Sequence, residues 1–252
     1  MILTRLGSIA ALTCAATYLV GFATLVTLLA PLGYGKYEVD AAAVLAFNAA
    51  HPGILTAWNS AIYLLNALSL VVLVTALSTR LPWTAPDWAR VARGLGLVWA
   101  TLVLGAGMIS NVALERASYL YDTDPAGAAE LWTILHTVEL GLGGGNEIAG
   151  GAWIGCVSLA GLIGGNLSRP VAWLGLATGT AGLATIISPL GHVTGAVFGL
   201  GAIVWFLAVG VGLWSTATKS SISRGVRVDP NARLPNDPKC STLLCPIAGR
   251  VA

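Results

Sequence analysis

Residues 136–153 read HTVELGLGGGNEIAGGAW, a histidine, two glutamates and an asparagine interleaved with glycines. Imidazole with carboxylate suits zinc or iron. The same pair relays protons, since histidine titrates near neutrality and a carboxyl group responds strongly to burial. At about 100° per residue, a continuous helix brings His136, Glu139, Gly143, Asn146, Glu147 and Gly150 within roughly 100° of one another. The remaining positions are mostly apolar, so the polar groups form one face. A carboxylate turned to lipid is costly, and that face is expected to look into a bundle or onto a water-filled cavity. An i, i+3 His–Glu pair is also an ordinary hydrogen-bonded pair, and a structural polar core is the competing reading.

Candidate partners come from other apolar segments. Asn59, Tyr63 and Asn66 repeat at spacings of four and three and are expected on one side of their helix, opposite His136, Glu139, Asn146 and Glu147. Arg116 is a candidate ion-pair partner for Glu115, Glu139 or Glu147. His51, His136 and His192 all map to the same side of the chain's topology. With Glu139 they make a candidate divalent-metal set for zinc or iron, and otherwise no cofactor is expected. There is no HExxH or HxxxH spacing. Serine hydrolysis lacks a GxSxG stretch, leaving only Ser188 near His192. Paired haem ligands would require His136 and His192 at matched depth on facing helices.

The elements that carry these residues are long and apolar. The chain has 252 residues with 10% charged, against about 25% in soluble domains. Six segments are long enough to cross a hydrocarbon core of about 30 Å: 6–30, 54–78, 94–114, 131–164, 171–190 and 193–216. The predicted fold is therefore an all-α bundle of six transmembrane helices over residues 1–218. The apolar core of the first run is too long for a cleavable signal. An amphipathic segment near 38–50 is expected to lie at the outer interface. A polar, proline-bearing tail from 219 onward cannot bury enough apolar surface to fold alone.

Run 131–164 is too long for one crossing, at about 50 Å for 1.5 Å per residue. Either a single helix projects outward, or the glycines at 141–145 break it into a short outer helix and the span proper. Both solutions put His136 and Glu139 at or beyond the outer interface and Glu147 in the outer leaflet.

With six spans, eleven basic residues fall on the side of the termini and only Lys36 and Arg116 on the other. The positive-inside bias then places both termini in the cytosol. The outer loops carry Glu38, Asp40, Glu115, Asp122, Asp124 and Glu130, and the net charge of +2 implies no nucleic-acid partner. Cys14 and Cys156 lie within spans. Cys240 and Cys245 lie in the tail, where two ligands are too few for a zinc site. Glycines at four-residue spacing (Gly151 and Gly155, Gly175 and Gly179, then Gly191, Gly195 and Gly199) allow close helix approach, within the chain or to a homo-oligomer or membrane-complex partner. No repeat relates the first three spans to the last three, which argues against an inverted-repeat transporter.

LHTVELGLGGGNEIAGGAW, followed by SLAGLIGGNLSRPVAWLGLATGTAGL, resembles a family of small six-span bacterial membrane proteins of unknown function. The likeness covers mainly 131–185 and rests on Leu135-His136, Ser168, Pro170, Leu174 and Gly175. Arg169 precedes Pro170 here, whereas the family carries its basic residue just after the proline. Glu139 and Glu147 are not family features. The resemblance implies six spans and a bacterial inner membrane, and no activity. Three functions remain open on sequence: an outward-facing pocket that binds or passes a small polar solute or protons, a metal- or acid/base-dependent membrane enzyme at the outer interface, and a non-catalytic accessory subunit.

Overall fold

The computed structural model describes residues 2–34, 39–80, 86–144 and 147–225, with the side chains of 86, 144, 188, 192 and 219–225 outside that description. No strand occurs among the described residues. The helices are α1 (Ile2–Thr24), α2 (Ala41–Ala50), α3 (Ile54–Asn59), α4 (Asn66–Ser78), α5 (Pro86–Tyr121), α6 (Pro125–Glu139), α7 (Ile148–Gly164), α8 (Arg169–Ala184) and α9 (Gly191–Gly225). Three π-helical segments intervene at Leu25–Leu29, Ser60–Leu65 and Leu140–Gly144.

Leu12, Leu19, Val20, Met108, Trp173, Val204, Val211 and Trp214 are all exposed. A soluble monomer does not leave so much large apolar surface open, whereas hydrocarbon covers it without penalty. Five helical stretches are long and apolar enough to cross a membrane: Ile2–Leu32, Ile54–Ser78, Asp87–Tyr121, Pro125–Gly164 and Val193–Thr218. The chain is a multi-pass membrane protein by this reading. The segment expected to span over 171–190 forms α8, only 16 residues long. Its start is fixed by Arg169-Pro170, with proline in the first turn. Its end gives way to a 3-10 turn at Ser188–Leu190. The backbone of α9 runs past 218 to Gly225, and the tail from 226 lies outside the described residues.

Two cores form. The larger gathers Leu70, Leu73 and Val74 of α4, Trp99 and Val103 of α5, Trp153 and Ile154 of α7, and Phe198, Trp205 and Phe206 of α9. Its rings interlock: Trp99 lies 5.6 Å from Trp153 and 6.3 Å from Phe206, and Trp153 meets Trp205 edge-on at 5.6 Å. The smaller core sits at one end, where the end of the first span (Leu29, Leu32), α2 (Val44, Leu45), Leu55, the last turns of α5 (Ala113, Leu114, Ala117) and α6 (Ala128, Trp132) close together. The predicted 38–50 amphipathic segment is α2. Asp40 caps it by accepting from the Ala43 N–H at 3.0 Å, and its apolar face packs on α5 and α6.

The glycine spacing is used within the chain. A Cβ on Gly179 would lie 2.7 Å from the Gly151 carbonyl oxygen and 2.8 Å from the Gly155 Cα, so α7 and α8 touch backbone to backbone. Gly199 packs on the Phe22 ring, while Gly195 faces open space. Gly179→Ala is expected to destabilise the fold in detergent by about 1–3 kcal/mol, the usual range for overpacking. Gly94→Ala, at an open helical position, should be neutral or slightly stabilising. Chemical denaturation of the two variants in micelles checks this, and equal stabilities would contradict the close seam.

Candidate functional site

The long run 125–164 is broken. Helix α6 ends at Glu139, Leu140–Gly144 forms a π turn, and Gly143 takes φ 145°, a conformation side chains with a Cβ rarely adopt. Helix α7 restarts at Ile148 with Glu147 as its N-cap residue, at φ −112° and ψ 27°. Of the two solutions open on sequence, the structure takes the break. The single polar stripe expected of a continuous helix therefore does not form: His136 and Glu139 end one helix, and Glu147 begins the next.

Glu139 is 2% exposed and lies between two partners. Tyr63 donates its hydroxyl proton to Glu139 Oε1 at 2.5 Å. His136 Nδ1 sits 2.7 Å from Glu139 Oε2 and donates when that nitrogen carries the proton. Both come from local geometry. His136 is one turn before Glu139 on α6. Tyr63 belongs to the π segment Ser60–Leu65, whose wider turn re-aims its side chain relative to a regular helix. Asn111 on α5 braces that segment through Nδ2 to Ser60 Oγ at 3.2 Å.

An aromatic wall completes the site. Trp132, four residues before His136, stacks on the imidazole at 4.6 Å and 19°. Tyr34 meets His136 edge-on at 6.2 Å and Trp58 at 5.7 Å. Burial, and then the nearby Glu139 carboxylate, hold the Tyr34 phenol above its ordinary pKa, so it stays a protonated donor. The indole Nε1 of Trp58 is buried without a hydrogen-bond partner among the described residues.

Glu147 is anchored by its backbone. Its N–H donates to Thr185 Oγ1 at 3.1 Å, and its carbonyl accepts from Gly151 N at 2.7 Å. Thr185 passes its own proton to the Gly182 carbonyl at 2.7 Å, tying the start of α7 to the end of α8. The side chain of Glu147 is partly exposed.

Other expected members go elsewhere. Asn59 is buried one turn before Tyr63. Asn66 turns to the first span, donating to Thr17 Oγ1 at 2.7 Å, while its carbonyl receives the Cys14 thiol at 3.8 Å. The π turn between Asn59 and Asn66 breaks the regular spacing that placed all three on one face. His51 is exposed and stacks on Phe47 at 4.7 Å. Asn146 and the side chain of His192 lie outside the described residues. Arg116 is exposed and pairs with no carboxylate among the described residues, where the ion pairs are Arg90–Asp87 and His136–Glu139. No three metal-ligating side chains meet among the described residues. Tyr34, Trp58, Trp132 and Thr185 were not singled out from sequence. Only Trp132, at i−4 from His136, carried a usable signal.

Comparison with known protein families, with curated proteins and with solved structures finds no match to this chain.

Tyr63→Phe is expected to lower stability by about 1.5–3 kcal/mol, the range for hydrogen bonds to charged groups. Pairing it with Glu139→Gln should cost less than the sum of the two single changes. A double-mutant cycle by denaturation in micelles reads the coupling; additive effects would mean the contact contributes nothing.

Proposed function

We propose that the protein is a six-span inner-membrane protein whose polar centre, open to the non-cytosolic face, holds protons and passes them through the bundle across the membrane, alone or with a small polar solute. The observation that carries this reading is Glu139, buried at the end of a broken span and bridged between Tyr63 and His136. Phenol, carboxylate and imidazole in series make a chain along which a proton moves by exchanging donor and acceptor roles. Irregular backbone at membrane depth is tolerated where it is buried in protein or lines a cavity, and the break at Gly143 is such a place. The unpartnered Trp58 indole supplies a donor beside the same rings for an acceptor on a passing solute.

Six crossings follow if α8 is counted as a span: 16 residues cover about 24 Å, and α8 packs along both α7 and α9. With an even count the basic residues gather on the side of both termini, which the positive-inside rule assigns to the cytosol. The resemblance of residues 131–185 to a six-span bacterial family implies the same count.

In proteoliposomes loaded with a pH-sensitive dye and clamped with potassium and valinomycin, the protein should collapse an imposed pH gradient severalfold faster than protein-free vesicles. Glu139→Gln and Glu147→Gln should each bring the rate back to that background. A wild-type rate equal to that of empty vesicles removes the proton reading. Unchanged rates in both variants would remove the named carboxylates from it.

A further inference from the structure

The reach of Tyr63 to Glu139 depends on how closely its segment lies against α5. Tyr63 and Leu64 belong to the π segment Ser60–Leu65, and the face of α5 that receives them carries Gly107 and, one turn on, Asn111. A Cβ on Gly107 would overlap the Tyr63 Cβ, lie 3.1 Å from the Tyr63 Cγ and come within 2.6 Å of Leu64 Cδ1. The overlap with Leu64 is at the far end of a flexible side chain, and a rotamer change relieves it. The overlap with Tyr63 is at an atom bonded to the backbone, which no side-chain rotation moves. Asn111 fixes the same segment at its first residue, donating from Nδ2 to Ser60 Oγ at 3.2 Å.

The contact with Glu139 leaves little room for a shift. The Tyr63 hydroxyl lies 2.5 Å from Glu139 Oε1, and an O–H···O bond extends to about 3.0 Å. Carbon atoms in ordinary contact stay roughly 3.5–4.0 Å apart. A methyl group at position 107 therefore drives the Tyr63 backbone away from α5 by more than the hydrogen bond tolerates. Glu139 does not follow, because it belongs to α6, which packs on α5 by itself. We propose that Gly107 and Asn111 are positioning residues of the Glu139 site: together they form a seat on α5 that sets Tyr63 at hydrogen-bonding distance from the carboxylate. The consequence for proton passage rests on the reading given above, whereas the seat stands on packing alone.

Solution NMR of the full-length protein in detergent, with tyrosine labelled at Cζ by carbon-13, reads the contact. The Tyr63 signal is the one missing from Tyr63→Phe, and Glu139→Gln marks its position without the carboxylate. In Gly107→Ala the signal is expected to move most of the way toward that position. Asn111→Ala overpacks nothing and should move it the same way by a smaller amount. Gly105→Ala makes the same chemical change two residues away, where the added carbon meets Leu142 Cδ1 at an ordinary 3.8 Å, and should leave the signal in place. Unfolding midpoints measured alongside separate a local shift from loss of the fold. If Gly107→Ala does not fold, Asn111→Ala decides. An unmoved Tyr63 signal in the deciding variant overturns the seat, as does equal movement in Gly105→Ala. In the proteoliposome assay Gly107→Ala should slow proton entry severalfold and Gly105→Ala should not. A moved signal with undiminished proton entry keeps the seat and takes Tyr63 out of the proton route. Wild-type protein that passes no protons removes the proton reading and leaves the NMR result to decide the seat.

Discussion

A carboxylate inside an apolar bundle has to be met by donors, and the arrangement around Glu139 follows from that requirement. In low dielectric an unpaired buried charge is far more costly than the net gain of any one hydrogen bond, which is about 1.5–3 kcal/mol even to a charged group. Glu139 accepts from Tyr63 on one oxygen and meets His136 on the other. Both partners are held by something else. Trp132 stacks flat on the imidazole and Tyr34 closes its edge. Tyr63 is packed against the larger core, while Trp132 belongs to the smaller one. The carboxylate thus sits at the join between two hydrophobic cores and ties them through polar contacts.

The irregular backbone gathers at the same join. A π turn ends the first span shortly before Tyr34, a second contains Tyr63, and a third follows Glu139 directly. Each departs from the regular i→i−4 pattern, and such departures are frequent at functional sites because they re-aim side chains. The aromatic core further along the bundle lies within α-helices and packs its rings at 5.6–6.3 Å. The aromatic core is built on regular helix, whereas the Glu139 contacts are flanked by irregular turns.

Much of this was legible in the sequence, for identifiable reasons. Long apolar runs give spans because lipid offers nothing else to satisfy backbone groups. The His136–Glu139 pair was visible because i, i+3 neighbours on a helix must be close. The choice between a break and a straight helix was not legible, since GLGGG tolerates both and only packing decides. Tyr63 was placed beside Glu139 correctly, but Asn66 was not, because the π turn after Asn59 shifts the register and π turns have no simple sequence signature. The aromatic wall escaped because Tyr34 reaches His136, and Trp58 reaches Tyr34, from distant segments, a relation that periodicity within one helix does not report.

The break also sets the electrostatics of the second carboxylate. Helix α7 has 17 residues and is about 26 Å long, a little short of a 30 Å hydrocarbon core. With its far end turning at Gly165, Glu147 stands about one hydrocarbon thickness from that turn along the helix. As the N-cap residue it also stands at the positive end of the α7 dipole. That dipole contributes about 0.3–1 kcal/mol, up to about 2 in favourable buried geometry, against an insertion penalty of roughly 2.5–3.5 kcal/mol for a charged side chain at the bilayer centre. The dipole therefore offsets part of that penalty at a helix start and none of it in mid-helix. Had the helix run on unbroken, Glu147 would have been a mid-turn residue with no helix end to favour its charge.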